Sequence, residues 1–324
     1  MRVLTWNVEN LFLPGVPDGP DQDTFEAKLD ALESMLRALT PDVVALQEVG
    51  SPAAVEALRA RVTDLDYAEP VVSSLPDRRG VRVAFLTRLL LVGQPVEVSV
   101  FPADIDPVQV AETGDPGERV ADRMGRGGLE ITVQASDGLQ VAVLTAHLKS
   151  KLLTYPRPGW LRFTPVDEHQ RTRYTAFAVN RRAAEAATLR ARANQLLDGQ
   201  GHERAVVVAG DLNDEADAAT TLLLNGPPGS EVGTLGFPRP DQGDGDRLWN
   251  LAGLIEPPER RVSRIHRGRG ELIDHIFASR RLVDPTNPPQ VTTVAAGDLP
   301  SIGDDPTDRR QEGFPDHAAV VATF

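Results

Sequence analysis

Short apolar runs ending in polar tips recur along the whole chain. Val3 to Val8 reads as a first strand, and Phe25, Leu29, Leu32, Leu36 and Leu39 then recur at helical spacing. Asp23 with Glu26 resembles a capping box at the start of that helix, and Pro41 ends it. Val43 to Leu46 forms the next strand, and Ser51-Pro52 opens a second helix as N-cap plus first-turn proline. Val81 to Leu86 predicts a strand, Leu89 to Phe101 another, and Leu129 to Val133 with Leu139 to Ala146 a pair joined by the favoured turn Asp137-Gly138. A helix over about Ala176 to Leu197, arginine-rich on its outer face, precedes the wholly apolar run Ala205 to Ala209. A short helix at Ala216 to Leu224 and late strands at Leu272 to Ala278 and Ala318 to Phe324 complete the pattern.

Strands outnumber helices, and several are apolar on both faces, so both faces must be covered. Two packed sheets with helices outside fit this better than one doubly wound sheet. The segments 102–128, 152–173, 225–246 and 284–313 read as long loops, in keeping with 27 Gly and 26 Pro. The 324 residues suggest two domains by length, yet the polar tips run from Asn7 to His317, so residues 1–324 are expected to form one.

The tips are Trp6-Asn7-Val8-Glu9-Asn10, Gln47-Glu48-Val49, Ala146-His147-Leu148-Lys149-Ser150, Gly210-Asp211-Leu212-Asn213-Asp214, Ile273-Asp274-His275-Ile276 and Pro315-Asp316-His317. Carboxylates, amides and imidazoles at the ends of buried strands need partners or a cation. Glu48 with Asp211 and Asn213 offers hard oxygen ligands suited to Mg2+ or Mn2+, and Asn7 adds a neutral oxygen. His147 and His317 titrate near neutrality, and Asp274 is the natural partner for one of them. Taken singly, each has a plain structural reading as a turn, a cap or a core histidine. Together they describe a pocket that handles metal and phosphate.

Composition narrows the partners. The net charge of −13 argues against a chain held on nucleic acid by bulk charge, although a local arginine rim could still guide a phosphate backbone. The absence of cysteine excludes disulfides and thiolate metal sites. The first residues enter a strand pattern directly, without a leader signature, and no apolar run is long enough to span a bilayer. A cytoplasmic location is expected, or a secreted one where a leader has been removed. No obligatory protein partner is evident.

The six segments, in this order, resemble the endonuclease/exonuclease/phosphatase superfamily over essentially the whole chain, and within it the deoxyribonuclease-like bacterial members. That resemblance implies a four-layer α/β/β/α sandwich of two mixed sheets with outer helices, and a divalent metal. It implies Glu48 as principal metal ligand with Asn7 beside it, and Asp316 as a further metal-side carboxylate. Asp211 would orient or deprotonate the attacking water. Asn213 would hold the phosphate or that water. His317, paired with Asp274, would act as base or as transition-state ligand, and His147 would sit near the leaving group or a phosphate oxygen. Arg126, in Gly125-Arg126-Gly127-Gly128, matches a family arginine that could contact phosphate. Deoxyribonucleases of the family carry a Tyr and a Glu before the strand equivalent to Val83–Phe85, the Glu orienting the counterpart of His147. Here that stretch is Arg78-Arg79-Gly80-Val81, which leaves the partner of His147 open.

The expected activity is metal-dependent hydrolysis of a phosphate ester. A phosphodiesterase acting on DNA or RNA stands first, because Tyr155, Trp160 and Phe163 with Arg157, Arg162, Arg171 and Arg173 could stack bases and hold phosphates. A phosphatase or phosphodiesterase acting on a small soluble or lipid ester is the alternative, and a catalytically silent binding module a third.

Overall fold

The computed structural model describes residues 1–103, 120–157, 160–303, 305, 309 and 311–324. In chain order the first half runs β1 (Arg2–Leu11), α1 (Gln22–Leu39), β2 (Val43–Val49), α2 (Pro52–Arg61), β3 (Val71–Val72), β4 (Arg82–Thr87), β5 (Leu90–Leu91), β6 (Val96–Val100), β7 (Arg123–Gln134) and β8 (Gln140–His147). The second half runs β9 (Tyr155–Arg157), β10 (Trp160–Arg162), α3 (Glu168–Leu197), β11 (Ala205–Asp211), α4 (Ala219–Asn225) and β12 (Leu248–Asn250). It continues with β13 (Arg264–His266), β14 (Arg269–Glu271), β15 (Asp274–Ser279), β16 (Gln290–Val294), β17 (Ser301–Ile302) and β18 (Ala319–Thr323).

Two mixed sheets carry the fold. One has the order β16-β18-β1-β2-β4-β3 and the other β12-β15-β11-β8-β7-β5, with β6 also paired to β7. Each is antiparallel except for one central parallel pair, β1 with β2 and β8 with β11. A parallel pair needs a long crossover, and α1 and α3 lie in the two connections.

Alternation along the strands sorts the apolar side chains into three cores. Val3, Val43, Ala45, Val83, Val141, Val143, Val207 and Ala209 face the space between the sheets. Leu4, Trp6, Val44 and Leu46 point the other way, against Leu29, Leu32 and Leu36 of α1 and Val55 and Leu58 of α2. Leu144, Val206 and Val208 pack under Ala186, Leu189 and Ala193 of α3. Three cores separate four layers, which is the expected α/β/β/α sandwich. Full burial of each Val or Leu contributes about 1.5–3 kcal/mol, so all three seams hold the layers together.

Several boundaries differ from the sequence reading. Asp21, not Asp23, caps α1: its extended backbone lets the carboxylate accept the Thr24 N–H at 2.8 Å. α3 begins at Glu168, capped by Asp167, well before Ala176. Its first turn is polar and braced by a Glu168–Arg171 ion pair, so it carries no apolar periodicity to read. Within the supposed loops, β7 starts at Arg123, β9 and β10 occupy part of 152–173, and β16 and β17 part of 284–313. Residues 104–119 of the first loop lie outside the described residues. No helix among the described residues is long and apolar enough to cross a membrane.

Candidate active site

The polar tips are the last rungs of the inter-sheet seam. Every second residue of a strand points to the same face, and on the inward faces the apolar series gives way to polar residues at one end. Val3 leads to Thr5 and Asn7, and Val43 and Ala45 to Gln47. Val141 and Val143 lead to Thr145 and His147, and Val207 and Ala209 to Asp211. These are the carboxyl ends of both central parallel pairs. β15 and β18 run antiparallel to their neighbours β11 and β1, so their beginnings, Asp274 and the preceding Asp316-His317, arrive at the same end. His147, Asp211 and Asp274 stand side by side in register on β8, β11 and β15.

Glu48 reaches the site by a different device. Next to inward-facing Gln47, it would point at the helix layer in a regular strand. The pairing of β2 with β4 slips between Gln47 and Val49, and Glu48 sits at φ 61° in that bulge. A bulge re-aims a side chain, and here it turns Glu48 toward the seam. Glu9, Asn10 and Asn213 also have left-handed φ angles of 47°, 55° and 54°. Backbone strain of this kind gathers at functional sites.

The side chains form a connected network. Asn7 Nδ2 donates to Asp211 Oδ2 at 2.9 Å and lies 3.5 Å from Glu48 Oε1. The Asn213 N–H donates to Asp211 Oδ1 at 2.8 Å, and Asn213 Nδ2 to the Leu148 carbonyl at 3.1 Å. His147 Nε2 lies 3.3 Å from Asp211 Oδ2 and 4.0 Å from Glu48 Oε1. Asp211 is thus the nearest carboxylate to His147 Nε2, while the other ring nitrogen, Nδ1, is buried with no hydrogen-bond partner among the described residues, so no orienting carboxylate stands behind the ring there. His317 Nδ1 is 2.7 Å from Asp274 Oδ2, and His317 Nε2 is 3.9 Å from Asp316 Oδ1. Gln47 Nε2 ties the sheets together beneath the site, donating to Thr5 Oγ1 at 3.1 Å and to Thr145 Oγ1 at 3.0 Å.

Burial sets the proton affinities. Asp211 is raised to about 6 by burial and by the charge of Asp274. Burial drives His317 down, but the charges of Asp274 and Asp316, the hydrogen bond to Asp274 and the charge of Asp211 outweigh it and raise it to about 10. His147 falls well below the usual imidazole range through burial and the nearby charges of Arg126, His317, Arg79 and Lys149. The site thus holds a neutral imidazole on one side and an imidazolium on the other.

All the sequence-predicted site residues meet here except Arg126, which lies at the edge. Arg126 stands within β7 rather than in a loop, with Nε 3.1 Å from Asp77 Oδ2. Among the described residues, Asp211, Asp274 and His317 bring three metal-competent atoms within 4.8 Å of one another. Asp274 and His317 already bond each other, so that trio is better suited to moving protons. Glu48, whose side chain keeps 15% exposure, stands apart from that trio, with Asn7 Nδ2, the Asn10 N–H, His147 Nε2 and Arg79 Nη2 within 4 Å of its carboxylate.

Other residues were not read as functional from the sequence. Glu9 is buried and raised to about 7 by burial and the Asp316 charge. It accepts from Arg309 at 2.8 and 2.9 Å and from the Asp316 N–H at 3.0 Å, and so ties the last segment to β1. On α3, Arg181, Arg182 and Glu185 are buried, contrary to the outward face read for its arginines. Glu185 accepts the Lys149 N–H at 2.7 Å, and Arg182 donates to the Lys149 carbonyl at 2.9 Å and to Asp214 at 3.0 Å, so α3 fixes the loops after β8 and β11. An Arg181–Glu185 pair four apart looks in sequence like an ordinary surface ion pair. Tyr155, offered as a base-stacking residue, is buried against Tyr174 with ring centroids 5.2 Å apart. The side chains of Arg157, Trp160 and Arg162 lie outside the described residues.

Gly210 allows the close approach that aligns Asp211 with His147. A Cβ there would sit 2.1 Å from the Ala146 carbonyl oxygen. Gly210→Ala is expected to cost about 1–3 kcal/mol of stability or more and to lower turnover by displacing both neighbours. Urea denaturation reads this, and wild-type stability would show that the two backbones do not meet.

A model of the Endonuclease/Exonuclease/phosphatase family matches residues 4–296. No curated protein matches the sequence. Solved structures similar to the chain include an endonuclease/exonuclease/phosphatase family protein from Leptotrichia buccalis, 14% identical with a TM-score of 0.56, covering 100% of this chain and 99% of that one. D. rerio TDP2 complexed with single strand DNA product is 17% identical with a TM-score of 0.54, covering 99% and 97%. The human Nocturnin catalytic domain with bound sulfate anion is 17% identical with a TM-score of 0.52, covering 99% and 93%. At such identities these structures attest the sandwich.

Proposed function

Because the chain belongs to the endonuclease/exonuclease/phosphatase family, whose members are phosphoric ester hydrolases, we propose that it is a divalent-metal-dependent phosphodiesterase acting on nucleic acid. The observation that carries this is the meeting of Glu48, Asn7, Asp211, His147 and the Asp274–His317 pair at one end of the inter-sheet seam. The choice of nucleic acid takes its direction from the DNA product in D. rerio TDP2.

The carboxylates of Glu48, as principal ligand, Asp211 and Asp316 are hard oxygens that would suit Mg2+, with Mn2+ as a substitute. Asn7 would add its amide oxygen only by turning over, because Nδ2 now faces Glu48 and Asp211 while Oδ1 accepts the Glu9 N–H at 3.0 Å. When bound, the ion would neutralise charge on the phosphate. Asp211, held by Asn7 and the Asn213 N–H, takes a proton from the attacking water, at a proton affinity close to the working pH. His317, kept protonated by Asp274, places positive charge against the phosphate oxygens. Neutral His147 orients Asp211 and faces the leaving group. Asn213 joins the loops after β8 and β11 and contacts phosphate, with Arg126 at the rim.

The test is cleavage of single- and double-stranded DNA and RNA with magnesium, with and without chelator. Chelator-sensitive cleavage is expected, and none beyond a Glu48→Gln control would overturn the proposal. The net charge of −13 favours a second reading, a small soluble phosphate ester, which a panel of phosphomonoesters and diesters separates from the first.

The rate should rise as Asp211 loses its proton through about pH 6 and fall as His317 loses its proton through about pH 10. Asp274→Asn removes the foremost charge raising His317, so the alkaline limb should move to lower pH. An unmoved alkaline limb would take His317 out of this role. For stability the sign is fixed by the raised imidazole: its contribution is complete below the unfolded value near pH 6.5 and is lost as pH rises through about 10.

A further inference from the structure

The turn between β3 and β4 is organised around one carboxylate. Asp77 Oδ1 accepts the N–H groups of Arg79 at 2.8 Å and Val81 at 3.0 Å, while Oδ2 accepts Arg126 Nε at 3.1 Å. The Gly80 N–H donates to the Asp77 carbonyl at 3.0 Å, closing the turn with Gly80 at φ 87°. Asp77 therefore sets the positions of two arginines on two different elements. Arg126 Nη1 reaches the Leu148 carbonyl at 3.4 Å, directly after His147. Arg79 Nη2 stands 3.9 Å from Glu48 Oε2.

The two arginines differ in how far they are engaged. Arg126 is largely enclosed and paired with Asp77. Arg79 is 43% exposed, and its distance from Glu48 is beyond hydrogen-bond reach. Among the described residues its guanidinium makes no hydrogen bond. A planar fork of donors matches a phosphate group better than a lone carboxylate at that distance.

We propose that Arg79, backed by Arg126, forms a second anion subsite beside the cleaved bond, taking a phosphate group one nucleotide away from it. This rests on the phosphodiesterase reading given above. The ligand chemistry is a non-bridging phosphate oxygen pair. It can come from a terminal phosphomonoester or from the next internal diester of a strand.

The experiment compares wild type, Arg79→Ala and Arg79→Lys on a thymidine dinucleotide, the same dinucleotide with a terminal phosphate at its 5′ or 3′ end, and the trinucleotide. Arg79→Ala should raise KM for at least one phosphate-bearing substrate about tenfold more than for the bare dinucleotide, as expected for loss of one charge-assisted hydrogen bond. Arg79→Lys should recover part of that difference. The terminal-phosphate and trinucleotide arms distinguish the monoester from the diester source. Equal changes in KM on every substrate, or a uniform fall in kcat, would overturn the subsite. Isothermal titration of inorganic pyrophosphate into the metal-free protein reads the same subsite without turnover. Binding about tenfold tighter to wild type than to Arg79→Ala is expected, and equal affinities would overturn the subsite. If wild type cleaves no nucleotide substrate, the phosphodiesterase reading fails by itself, and the titration still decides whether the anion subsite exists.

Discussion

Replacing Asp211 by asparagine is expected to lower turnover by about 10³-fold, within the range for removal of a general base, while leaving the fold intact or more stable. The two effects have one cause. Asp211 is almost fully buried, beside Asp274 in register, and its charged form is disfavoured there. Asparagine has the same shape and keeps an acceptor for the Asn213 N–H, but it cannot take a proton from water. It would also set an N–H₂ against Asn7 Nδ2, now 2.9 Å from Asp211 Oδ2, so one of the two amides must turn over. With the folded proton affinity raised from 3.8 to about 6, the wild-type protein gives up stability as pH rises through that window. Asp211→Asn should remove that loss. Steady-state rates and urea denaturation at pH 4 and pH 7 check both halves. Turnover above a tenth of wild type would take Asp211 out of the base position, and a large drop in stability would make it a structural residue.

The second large effect is on stability, far from the chemistry. Arg247 and Asp244 form a buried ion pair that knots the segment 225–246. Arg247 also donates to the Pro227 carbonyl at 3.2 Å, the Pro228 carbonyl at 3.0 Å and Asp241 at 3.1 Å. Its guanidinium lies 5.3 Å from the centre of the Trp249 ring. Asp244 has no exposed surface, and its next cation, Arg280, is 3.7 Å away. Arg247→Ala is expected to cost about 3–5 kcal/mol, the usual result of leaving a buried charge without its partner. The double variant Asp244→Asn, Arg247→Ala should lose less than the sum of the two single changes, because neither charge is then stranded. Urea denaturation of the three variants measures the coupling. Strict additivity, or a loss below about 1 kcal/mol for Arg247→Ala, would contradict the buried pair.

The sequence showed which residues would be strand ends, but not how they are aimed. Asn7, His147 and Asp211 continue an inward-facing alternation, so their convergence follows from strand phase once two packed sheets are assumed. Glu48 does not, because its phase is wrong for the seam, and only the left-handed bulge corrects it. The approach of Asp211 to His147 was equally hidden, since it depends on the parallel pairing of β8 with β11. Arg182 and Glu185 looked like a solvated helix face until the loops that they hold were folded over them. Part of 284–313 read as loop because β16 and β17 are short and their flanks are rich in Pro and Asp.

The chain by itself determined the list of reactive groups, their attachment to the tips of buried strands, and the two-sheet architecture. Those follow from local periodicity and from the expense of ending an apolar run on a charge. The tertiary structure alone decided which carboxylate faces which imidazole, which arginine remains open at the mouth, and which charges are buried. Each of those depends on strand pairing and backbone bulges between residues far apart in the chain, and no local pattern encodes such distances.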